Sequence, residues 1–349
     1  MSNRKLKWGI LGAARVNERL LPAILEAPNA QLVAIASRRA GAAAETLKKY
    51  APQGFNDKDI KCYNDLDALI NDNNVEAIYC PMANEEHAEW AVKAINAGKH
   101  VLIEKPMATK LSDIDAIEAA VKKNNAKNQN ICVMEGFMVR FHPQHKRVQE
   151  IVESGLIGDA LSARASFSFL MKPARMYRIN RSMADGGGAL WDIGPYAIHS
   201  LRWCFGCEPK SVIAHAKLNE HGADTVMSGV LDFGLDKEGR ARFGQFDISF
   251  ERSRKSEYEI IGSKGWVKCH TTWAFSQDVP VISWATEADE SGEEKLPTAN
   301  HFNLEIEHFS DCILNDKAPF LSFKDARANC AALEECMKQA SSHANSSGL

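Results

Sequence analysis

Residues 6–26 read LKWGILGAARVNERLLPAILE, in which a short apolar run turns into a helical pattern. Leu6–Leu11 has the composition of a buried strand, and Glu18–Glu26 has the periodicity of a helix. The residues Gly12–Ala14 between them are small, so the backbone can turn tightly there. The stretch therefore predicts a strand, a tight turn and a helix, which is how a parallel β-α-β unit begins.

Strand-like and helix-like segments continue to alternate as far as residue 135. Further strands are predicted over Gln31–Ser37, Val75–Cys80, His100–Ile103 and Ile131–Glu135, with helices over Ala42–Tyr50, Glu85–Ala97 and Ser112–Lys123. Strands of buried character that alternate with helices form a parallel sheet covered on both faces. We therefore predict an α/β domain over residues 1–137.

The pattern changes after Met138, where strand-like runs follow one another closely. Strands are predicted over Ala160–Leu170, Ser211–Leu218, Thr225–Phe233, Arg242–Phe250, Tyr258–Ile261 and Trp266–His270, and helices over His142–Glu153, Phe302–Leu314 and Lys324–Gln339. The acidic segment Thr286–Lys295 is predicted to be a solvated loop. Successive strands indicate a large, mostly antiparallel open sheet, and hence a second, α+β domain over residues 138–349.

The composition excludes several classes of protein. The 349 residues are 45% hydrophobic and 25% charged, and 42 basic against 45 acidic residues give a formal charge of −3. These values are typical of a globular chain, and the balanced charge argues against an obligate nucleic-acid binder. No apolar run approaches the ~20 residues of a membrane span, and no secretory signal pattern precedes Leu6.

The cysteines indicate a reducing compartment. There are nine, an odd number, and they are scattered along the chain, which favours reduced thiols and a cytoplasmic location. Cys204 and Cys207 have CxxC spacing, for which a redox or zinc site and a simple pair of helix-end residues are the two interpretations. No metal site is predicted.

The turn after the first strand is similar to the phosphate-binding fingerprint G-x-G-x-x-G/A. Gly12, Ala14 and Asn17 fill its three positions, so only the first glycine is present. Small residues let the backbone approach a pyrophosphate, and the helix N-terminus that follows attracts the anion. Ala13 and Arg15 lie in the same turn and are further candidates for cofactor contacts. An ordinary tight turn between strand and helix is the alternative interpretation.

The end of the second strand indicates which dinucleotide binds. A free ribose 2′-hydroxyl is usually met there by a carboxylate, and a 2′-phosphate by an arginine. This chain has Ser37, Arg38 and Arg39 and no carboxylate at that point, so we predict NADP(H) over NAD(H). A solvated basic turn is the alternative, in particular for Arg39.

Lys105 is a candidate catalytic residue. It follows a predicted strand and therefore lies at the edge where open parallel sheets bind ligands. Pro106 restricts the lysine backbone to extended conformations, which fixes the direction of the ammonium group. A solvated surface lysine is the alternative when this segment is taken alone.

The segment Gly186–His199 reads GGGALWDIGPYAIH. Its three glycines allow the backbone to pass close to a ligand. If a helix begins just before Asp192, then Asp192, Tyr196 and His199 fall at i, i+4 and i+7 and share one face. Pro195 permits this only in the first turn of that helix. A carboxylate, a phenol and an imidazole on one face are unusual for a core stripe and favour a catalytic site.

Taken together, these segments resemble the Gfo/Idh/MocA oxidoreductases, a family that includes glucose–fructose oxidoreductase and inositol dehydrogenase. The resemblance runs nearly end to end and rests on GILGAA, PMANEEHA (81–88), EKP (104–106), EGFMVRFHP (135–143) and the glycine-rich segment. The tyrosine four residues after Asp192 makes the chain most similar to the branch with NADP-dependent D-xylose 1-dehydrogenase, dimeric dihydrodiol dehydrogenase and glucose–fructose oxidoreductase.

The resemblance implies a Rossmann NADP-binding domain followed by a domain for substrate binding and dimerisation. It also implies that Lys105 and Tyr196 flank the reacting carbon over the nicotinamide. Tyr196 would take the proton of a sugar hydroxyl as hydride leaves. The nearby ammonium would lower the pKa of the phenol, which is ~10 when unperturbed. Asp192 would bind substrate hydroxyls or orient Lys105.

Further site residues are expected around these groups. Cofactor contacts are expected from Pro81, Asn84, His87, Glu104 and Lys105, and substrate contacts from Arg140, Arg178, Asp192, Tyr196 and His199. The arginines are included because a sugar site needs planar groups with several donors. A surface salt bridge is the alternative for each arginine, and a structural helix histidine is the alternative for His199.

We therefore predict an NADP-dependent oxidoreductase of a sugar, polyol or diol, with neither nucleic acid nor membrane as a partner. A non-catalytic nucleotide sensor of the same fold is one alternative, which the presence of both Lys105 and Tyr196 disfavours. An enzyme that keeps its cofactor bound and couples the oxidation of one sugar to the reduction of another is a second alternative.

The second domain is predicted to mediate self-association. Apolar positions in its strands, such as Val226, Val230, Phe246 and Ile248, indicate at least one hydrophobic sheet face. A large exposed apolar face usually has a partner. The family resemblance implies that this face makes a dimer, so the expected assembly is a homodimer or a dimer of dimers.

Overall fold

The computed structural model describes residues 4–127, 129–273 and 279–346. The chain divides into two compact units. The first unit contains Met1–Phe141 and Asn300–Arg327, and the second contains His142–Ala299 and Ala328–Leu349. The division after Phe141 lies close to the predicted domain boundary after residue 137.

The first unit is a doubly wound parallel sheet. Its strands are β1 (Leu6–Leu11), β2 (Ala30–Ala36), β3 (Lys61–Tyr63), β4 (Ala77–Cys80), β5 (His100–Glu104) and β6 (Val133–Gly136). Its helices are α1 (Asn17–Glu26), α2 (Ala42–Tyr50), α3 (Leu66–Ile70), α4 (His87–Asn96), α5 (Leu111–Asn125) and α9 (His301–Leu314). The strands lie in the order β3-β2-β1-β4-β5-β6 and all neighbours are parallel. This is the strand order of the Rossmann fold, so the predicted fold is confirmed.

The helix α9 packs in the first unit, whereas the sequence analysis assigns it to the second domain. Trp8 of β1 donates from Nε1 to Ser310 Oγ at 3.1 Å, and its ring centroid lies 5.4 Å from that of Phe309. Trp8 and Phe309 are fully buried, so α9 completes the core of the parallel sheet. The amphipathic pattern of a helix is visible in a sequence, but the surface that it covers is not.

The second unit is an open, mostly antiparallel sheet, as predicted. Its strands are β7 (Ala160–Ser168), β8 (Ser211–Leu218), β9 (Asp224–Leu235), β10 (Ala241–Ser249), β11 (Lys255–Gly262), β12 (Gly265–Cys269), β13 (Val281–Thr286) and β14 (Ser291–Lys295). Its helices are α6 (Pro143–Glu153), α7 (Ala189–Asp192), α8 (Gly194–Phe205) and most of α10 (Phe323–Ser346). The strand order is β14-β13-β12-β11-β7-β10-β9-β8, and β7 and β10 are parallel to each other.

The acidic segment Thr286–Lys295 is a hairpin and not the predicted loop. β13 ends at Thr286, and β14 returns antiparallel to it. The charged side chains are tolerated because β14 is an edge strand, where charge discourages pairing with further strands. Arg147 also pairs with Glu294, at 2.7 Å from Nε to Oε2.

The two faces of the second sheet differ in burial. Phe246 and Ile248 are buried on the face that α8 covers. The register with β10 places Val226 and Val230 of β9 on the opposite face, because side chains alternate along each strand. That opposite face also exposes Phe243. The four apolar positions predicted together therefore belong to two different faces.

Candidate functional site

The segments predicted to bind a cofactor lie where strands of the first sheet end. Gly12 follows β1, Ser37 follows β2, Pro81 follows β4 and Lys105 follows β5. In a parallel sheet these positions all lie at the carboxyl edge, which is where doubly wound folds bind ligands. The topology thus brings to one edge four segments that are distant in sequence.

The turn from β1 to α1 is shaped by Gly12 and Asn17. Gly12 has φ +126°, which residues with a side chain rarely adopt, and a Cβ there would lie 3.2 Å from Met82 Sδ. Asn17 is buried and donates from Nδ2 to the Gly12 carbonyl at 2.8 Å. Asn17 therefore closes the turn at the position where the fingerprint has glycine or alanine. Ala13 and Arg15 of the same turn are exposed.

Both arginines at the end of β2 have carboxylate partners. Arg38 forms a two-point ion pair with Glu86, at 2.6 Å from Nη1 to Oε1 and 3.0 Å from Nη2 to Oε2. Arg39 donates to Glu45 at 2.7 Å. Ser37 is buried, and its Oγ accepts from the Arg39 N–H at 3.2 Å. The sequence analysis identified the arginines but neither of their partners.

Lys105 is buried and its backbone is anchored. The Tyr79 hydroxyl donates to Glu104 Oε1 at 2.6 Å, and the Lys105 N–H donates to Glu104 Oε2 at 3.0 Å. Burial and the neighbouring Glu104 carboxylate raise the pKa of Tyr79 well above its ordinary value, so this phenol keeps its proton and remains the donor. The Lys105–Pro106 peptide bond is cis. Glu104, predicted as a cofactor contact, thus accepts hydrogen bonds from the Tyr79 hydroxyl and from the Lys105 backbone N–H.

His87 contacts the backbone next to Lys105, at Pro106, and also that of Met82. It is buried, with Nδ1 at 2.7 Å from the Pro106 carbonyl oxygen and Nε2 at 3.0 Å from that of Met82. Burial lowers the pKa of His87 to about 4, so the ring is neutral and carries one N–H. We assign this proton to Nδ1, because its contact is the shorter. These contacts support a structural role for His87, and its contact with the cofactor stays a prediction.

Glu305, a buried acid near the Lys105 turn, was not predicted from the sequence. Glu135 accepts the Met107 N–H at 2.7 Å. Glu305, from α9, is fully buried, and burial together with the Glu104 and Glu135 charges raises its pKa well above the ordinary value. Burial and the two neighbouring carboxylates thus both favour the uncharged form of Glu305.

In the second unit, the triple glycine packs against other parts of the same chain. Gly188 has φ +97°, and a Cβ there would overlap Asp224 Oδ1. Its N–H donates to the Arg178 carbonyl at 2.8 Å. A Cβ at Gly187 would overlap the carbonyl oxygen of Arg181. The glycines thus let the arginine-bearing loop lie directly against the start of α7.

We expect Gly188→Ala to lower the free energy of unfolding by roughly 3 kcal/mol. The alanine would be strained at φ +97°, and its Cβ would displace Asp224, whose Oδ2 accepts the Leu190 N–H at 2.8 Å. Urea denaturation followed by circular dichroism measures the loss.

Gly206→Ala is the matched control for this substitution. Gly206 also has a positive φ, +62°, but within the described chain no atom lies within 4 Å of an added Cβ. Only the backbone strain of about 1 kcal/mol is expected. Equal losses in the two variants would contradict the close packing of Gly188.

Asp192 lies between two arginines of the second unit. Its Oδ1 is 2.5 Å from Arg178 Nη1, and its Oδ2 is 3.4 Å from Arg175 Nη2. Burial alone would lower the pKa of the Arg178 guanidinium, but the charges of Asp192, Tyr177 and Tyr196 raise it. The sequence analysis included Arg178 and missed Arg175, which lies in the same 3₁₀ segment.

Tyr196 stands in the first turn of a separate helix. α7 ends at Asp192, Ile193 interrupts the helix, and α8 begins at Gly194. The single helix expected from Asp192 onward is therefore wrong. Pro195 explains the interruption, because a proline is accommodated in the first turn of a helix but not in its interior.

Aromatic side chains surround Tyr196. The residue is 6% exposed, and its ring packs edge-on against Phe167 at 5.6 Å, with Trp273 at 6.3 Å. The aromatic neighbours fix the ring. The Arg178 guanidinium interacts electrostatically with the Tyr196 side chain.

Two other residues expected at the substrate site have contacts within their own units. His199 is buried, with Nδ1 at 3.4 Å from Nη1 of Arg202, which itself pairs with Glu208. The Arg140 guanidinium lies over the Phe320 ring, 5.1 Å from its centroid. These contacts support a structural role for His199, the alternative stated for it above.

Several other kinds of site can be assessed in the described part of the chain. It holds no group of three or more His, Cys, Asp or Glu side chains that could bind a metal ion. All nine cysteines, including Cys204 and Cys207, are free thiols. Within residues 4–127, 129–273 and 279–346, none of the helices is long and apolar enough to cross a membrane.

The residues at the carboxyl edge fit a nicotinamide dinucleotide. The Gly12 turn of small residues leads into the N-terminus of α1, which is where doubly wound folds place a pyrophosphate. Ser37 and Arg38 bring a hydroxyl and a guanidinium, and Asn84, half-buried, follows the buried Pro81. Groups suited to the pyrophosphate and to both riboses therefore lie along one edge.

Comparison with protein families gives matches in both parts of the chain. Residues 6–131 match an oxidoreductase family with an NAD-binding Rossmann fold, GFO_IDH_MocA. Residues 145–268 match the GFO/IDH/MocA C-terminal domain. The two matches fall on the parallel and the antiparallel sheets respectively.

Individual relatives cover nearly the whole chain. A dTDP-3,4-didehydro-2,6-dideoxy-alpha-D-glucose 3-reductase of Actinomadura kijaniata is 30% identical over 315 residues, which are 90% of this chain and 89% of the relative. D-xylose 1-dehydrogenase (NADP(+)) 2 of Haloferax volcanii is 30% identical over 321 residues, 90% and 91% of the two chains. The structure of a 3-ketoreductase from Actinomadura kijaniata in complex with NADP and TDP-benzene has a TM-score of 0.82 at 27% identity, covering 96% of this chain and 98% of that one.

Proposed function

The chain belongs to the Gfo/Idh/MocA family of NAD(P)-dependent oxidoreductases, and on that premise we propose that it transfers a hydride between a nicotinamide nucleotide and a carbinol carbon of a sugar, polyol or diol. The observation that carries the proposal is Lys105, a buried lysine anchored at the ligand-binding edge of the parallel sheet. The relatives support a sugar, because one oxidises D-xylose and another reduces a dTDP-linked sugar.

Tyr196 is the proposed general acid–base. When bound, the nicotinamide ring accepts or supplies the hydride. Tyr196 takes the hydroxyl proton in the oxidation and returns a proton to the carbonyl oxygen in the reduction. An unperturbed phenol has a pKa of ~10 and needs nearby positive charge to ionise at neutral pH. Arg178, whose charge interacts with Tyr196, is one proposed source of this positive charge, and Lys105 is the other.

Asp192 is proposed to act mainly by orienting its neighbours. Its two oxygens contact Arg178 and Arg175, so much of its accepting capacity is already used. Each guanidinium has five N–H donors, and such planar groups suit sugar hydroxyls. Asp192 therefore holds in place the groups that bind the substrate.

NADP(H) is the proposed cofactor. Ser37 and Arg38 follow β2, where an arginine rather than a carboxylate favours a 2′-phosphate. The Haloferax relative is an NADP(+) enzyme, and the Actinomadura 3-ketoreductase was solved with NADP. Both relatives support this choice.

A second copy of this chain is the proposed protein partner. Ile213, Val230 and Phe243 are 58%, 38% and 42% exposed on the open face of the second sheet, and clustered apolar residues of this kind mark an interface. We expect light scattering to give at least twice the chain mass of 38.6 kDa, and Phe243→Glu to reduce it. A wild-type mass equal to one chain would contradict self-association.

The proposed function is tested by a spectrophotometric screen. The purified chain is mixed with NADP⁺ or NAD⁺ and with aldoses, inositols or trans-dihydrodiols, and the reduced nicotinamide is followed by absorbance. We expect turnover with at least one sugar and faster turnover with NADP⁺. Cofactor binding without turnover of any substrate, in either direction, would contradict an enzymatic role, and faster turnover with NAD⁺ would contradict the cofactor choice.

A further inference from the structure

The ion pair between Arg38 and Glu86 joins two of the loops at the carboxyl edge. Arg38 follows β2, and Glu86 lies in the 3₁₀ turn Asn84–Glu86 that follows β4. The two segments are far apart in sequence, so this pair is a product of the fold. It spans the region between the end of β2 and the loop expected to meet the cofactor.

Glu86 occupies the edge of the Arg38 guanidinium that would bind a phosphate. Both terminal nitrogens donate to Glu86, at 2.6 and 3.0 Å. A guanidinium binds a phosphate through the same planar fork, with two parallel N–H···O bonds. Arg38 therefore cannot hold Glu86 and a phosphate in this two-point manner at the same time.

Arg39, the second arginine of this turn, pairs with a carboxylate that a phosphate would displace more easily. Arg39 Nη2 lies 2.7 Å from Glu45 Oε2, and the two side chains are 68% and 63% exposed. In the other pair Arg38 is 61% exposed but Glu86 only 24%, so the carboxylate of that pair is less accessible to water than Glu45. Exposed ion pairs are worth little and are easily exchanged, whereas a two-point, partly buried pair resists displacement.

We propose that Glu86 is a specificity-determining residue, which occupies the Arg38 fork and so reduces, without reversing, the preference for 2′-phosphorylated nucleotides over nucleotides with a free 2′-hydroxyl. This inference rests on the proposed nicotinamide-nucleotide site. A 2′-phosphate carries nearly two negative charges at neutral pH. To bind Arg38 it must displace Glu86 and remain beside that carboxylate. A nucleotide with a free 2′-hydroxyl leaves the ion pair intact.

The test uses nucleotides that lack the nicotinamide ring, so that binding is measured without turnover. Isothermal titration calorimetry gives Kd of the full chain for adenosine 2′,5′-bisphosphate and for adenosine 5′-monophosphate. Glu86→Gln keeps the shape of the side chain and removes its charge. We expect it to bind the bisphosphate about tenfold more tightly, the scale of one charge-assisted hydrogen bond, with little change for the monophosphate.

Two further variants make the result specific to Arg38. Glu45→Gln removes the same charge beside Arg39 and is expected to change either Kd by less than about twofold. Combining Arg38→Met with Glu86→Gln is expected to abolish the gain. An unchanged Kd for the bisphosphate in Glu86→Gln, or an equal gain for both nucleotides, overturns the proposal. Failure of the wild type and all variants to bind either nucleotide overturns the proposed function as well.

Discussion

Tyr196→Phe is expected to lower kcat by about 10²- to 10⁴-fold with the substrate that the screen identifies, the range for loss of a general acid–base. The phenylalanine keeps the ring that packs against Phe167 and Trp273 and removes only the hydroxyl. Substrate binding should therefore change little, and the loss should fall on kcat rather than on KM. Steady-state kinetics in both directions measure the effect.

Tyr258→Phe is the matched control for this substitution. Tyr258 is another buried tyrosine of the second unit, and its hydroxyl lies 3.0 Å from His145 Nδ1. Losing that hydrogen bond should cost about 1 kcal/mol of folding free energy. It should leave kcat within about twofold, because the hydroxyl has no proposed part in the chemistry. If Tyr196→Phe retained kcat to the same extent, the proton path through Tyr196 would be wrong.

Lys105→Met is expected to lower kcat/KM by about 10²- to 10³-fold, the usual effect of removing one electrostatic donor from an active site. Methionine has a similar length and fits a buried position, so the backbone contacts to Glu104 remain. What is lost is the ammonium group, which under the proposed function favours the phenolate and polarises the substrate oxygen. Rates with wild-type and variant enzyme at saturating cofactor measure the change.

Lys99→Met separates this effect from a general loss of stability. Lys99 is also a buried lysine of the first unit, and its Nζ donates to the carbonyl oxygens of Asp72 and Val75, both at 2.8 Å. The same substitution there removes two structural hydrogen bonds, so it should lower the melting temperature and leave kcat/KM nearly unchanged. Equal losses of kcat/KM in the two variants would show that Lys105 supports the fold and not the reaction.

Most of the fold could be predicted because its signals are local. The strands of the parallel sheet are apolar throughout and alternate with helices, and this pattern alone implies the layered arrangement. The strand Ser291–Lys295 could not be predicted, because an edge strand at the surface needs no apolar residues and shows only charge. The docking of α9 against Trp8 could not be predicted either, since a helical pattern does not specify its partner.

The catalytic candidates could be named from residue type and spacing, but their arrangement could not. The expected helix begins just before Asp192, so that Asp192, Tyr196 and His199 would share one face. Pro195 fits only the first turn of a helix, and in the structure α7 ends at Asp192 and α8 begins at Gly194. Asp192 therefore pairs with Arg175 and Arg178 and does not share a helix with Tyr196.

Ion pairs and buried acids were the least predictable part of the site. The partner of Arg38 lies in a different loop, and only the folded sheet brings the two together. For Glu305 a signal does exist: Phe302, Glu305 and Phe309 are spaced as one helix face, and both phenylalanines are buried. A glutamate on such an apolar face predicts a buried acid of raised pKa.

Isotope transfer tests most directly whether Lys105 and Tyr196 serve hydride transfer to a nicotinamide nucleotide. A substrate sugar carrying deuterium on its reacting carbon is oxidised by the wild-type chain, and ²H NMR locates the label in the products. The account predicts deuterium on C4 of the reduced nicotinamide, with little transfer in the same time by Tyr196→Phe or Lys105→Met. Deuterium in the solvent, or transfer by either variant at the wild-type rate, would contradict it.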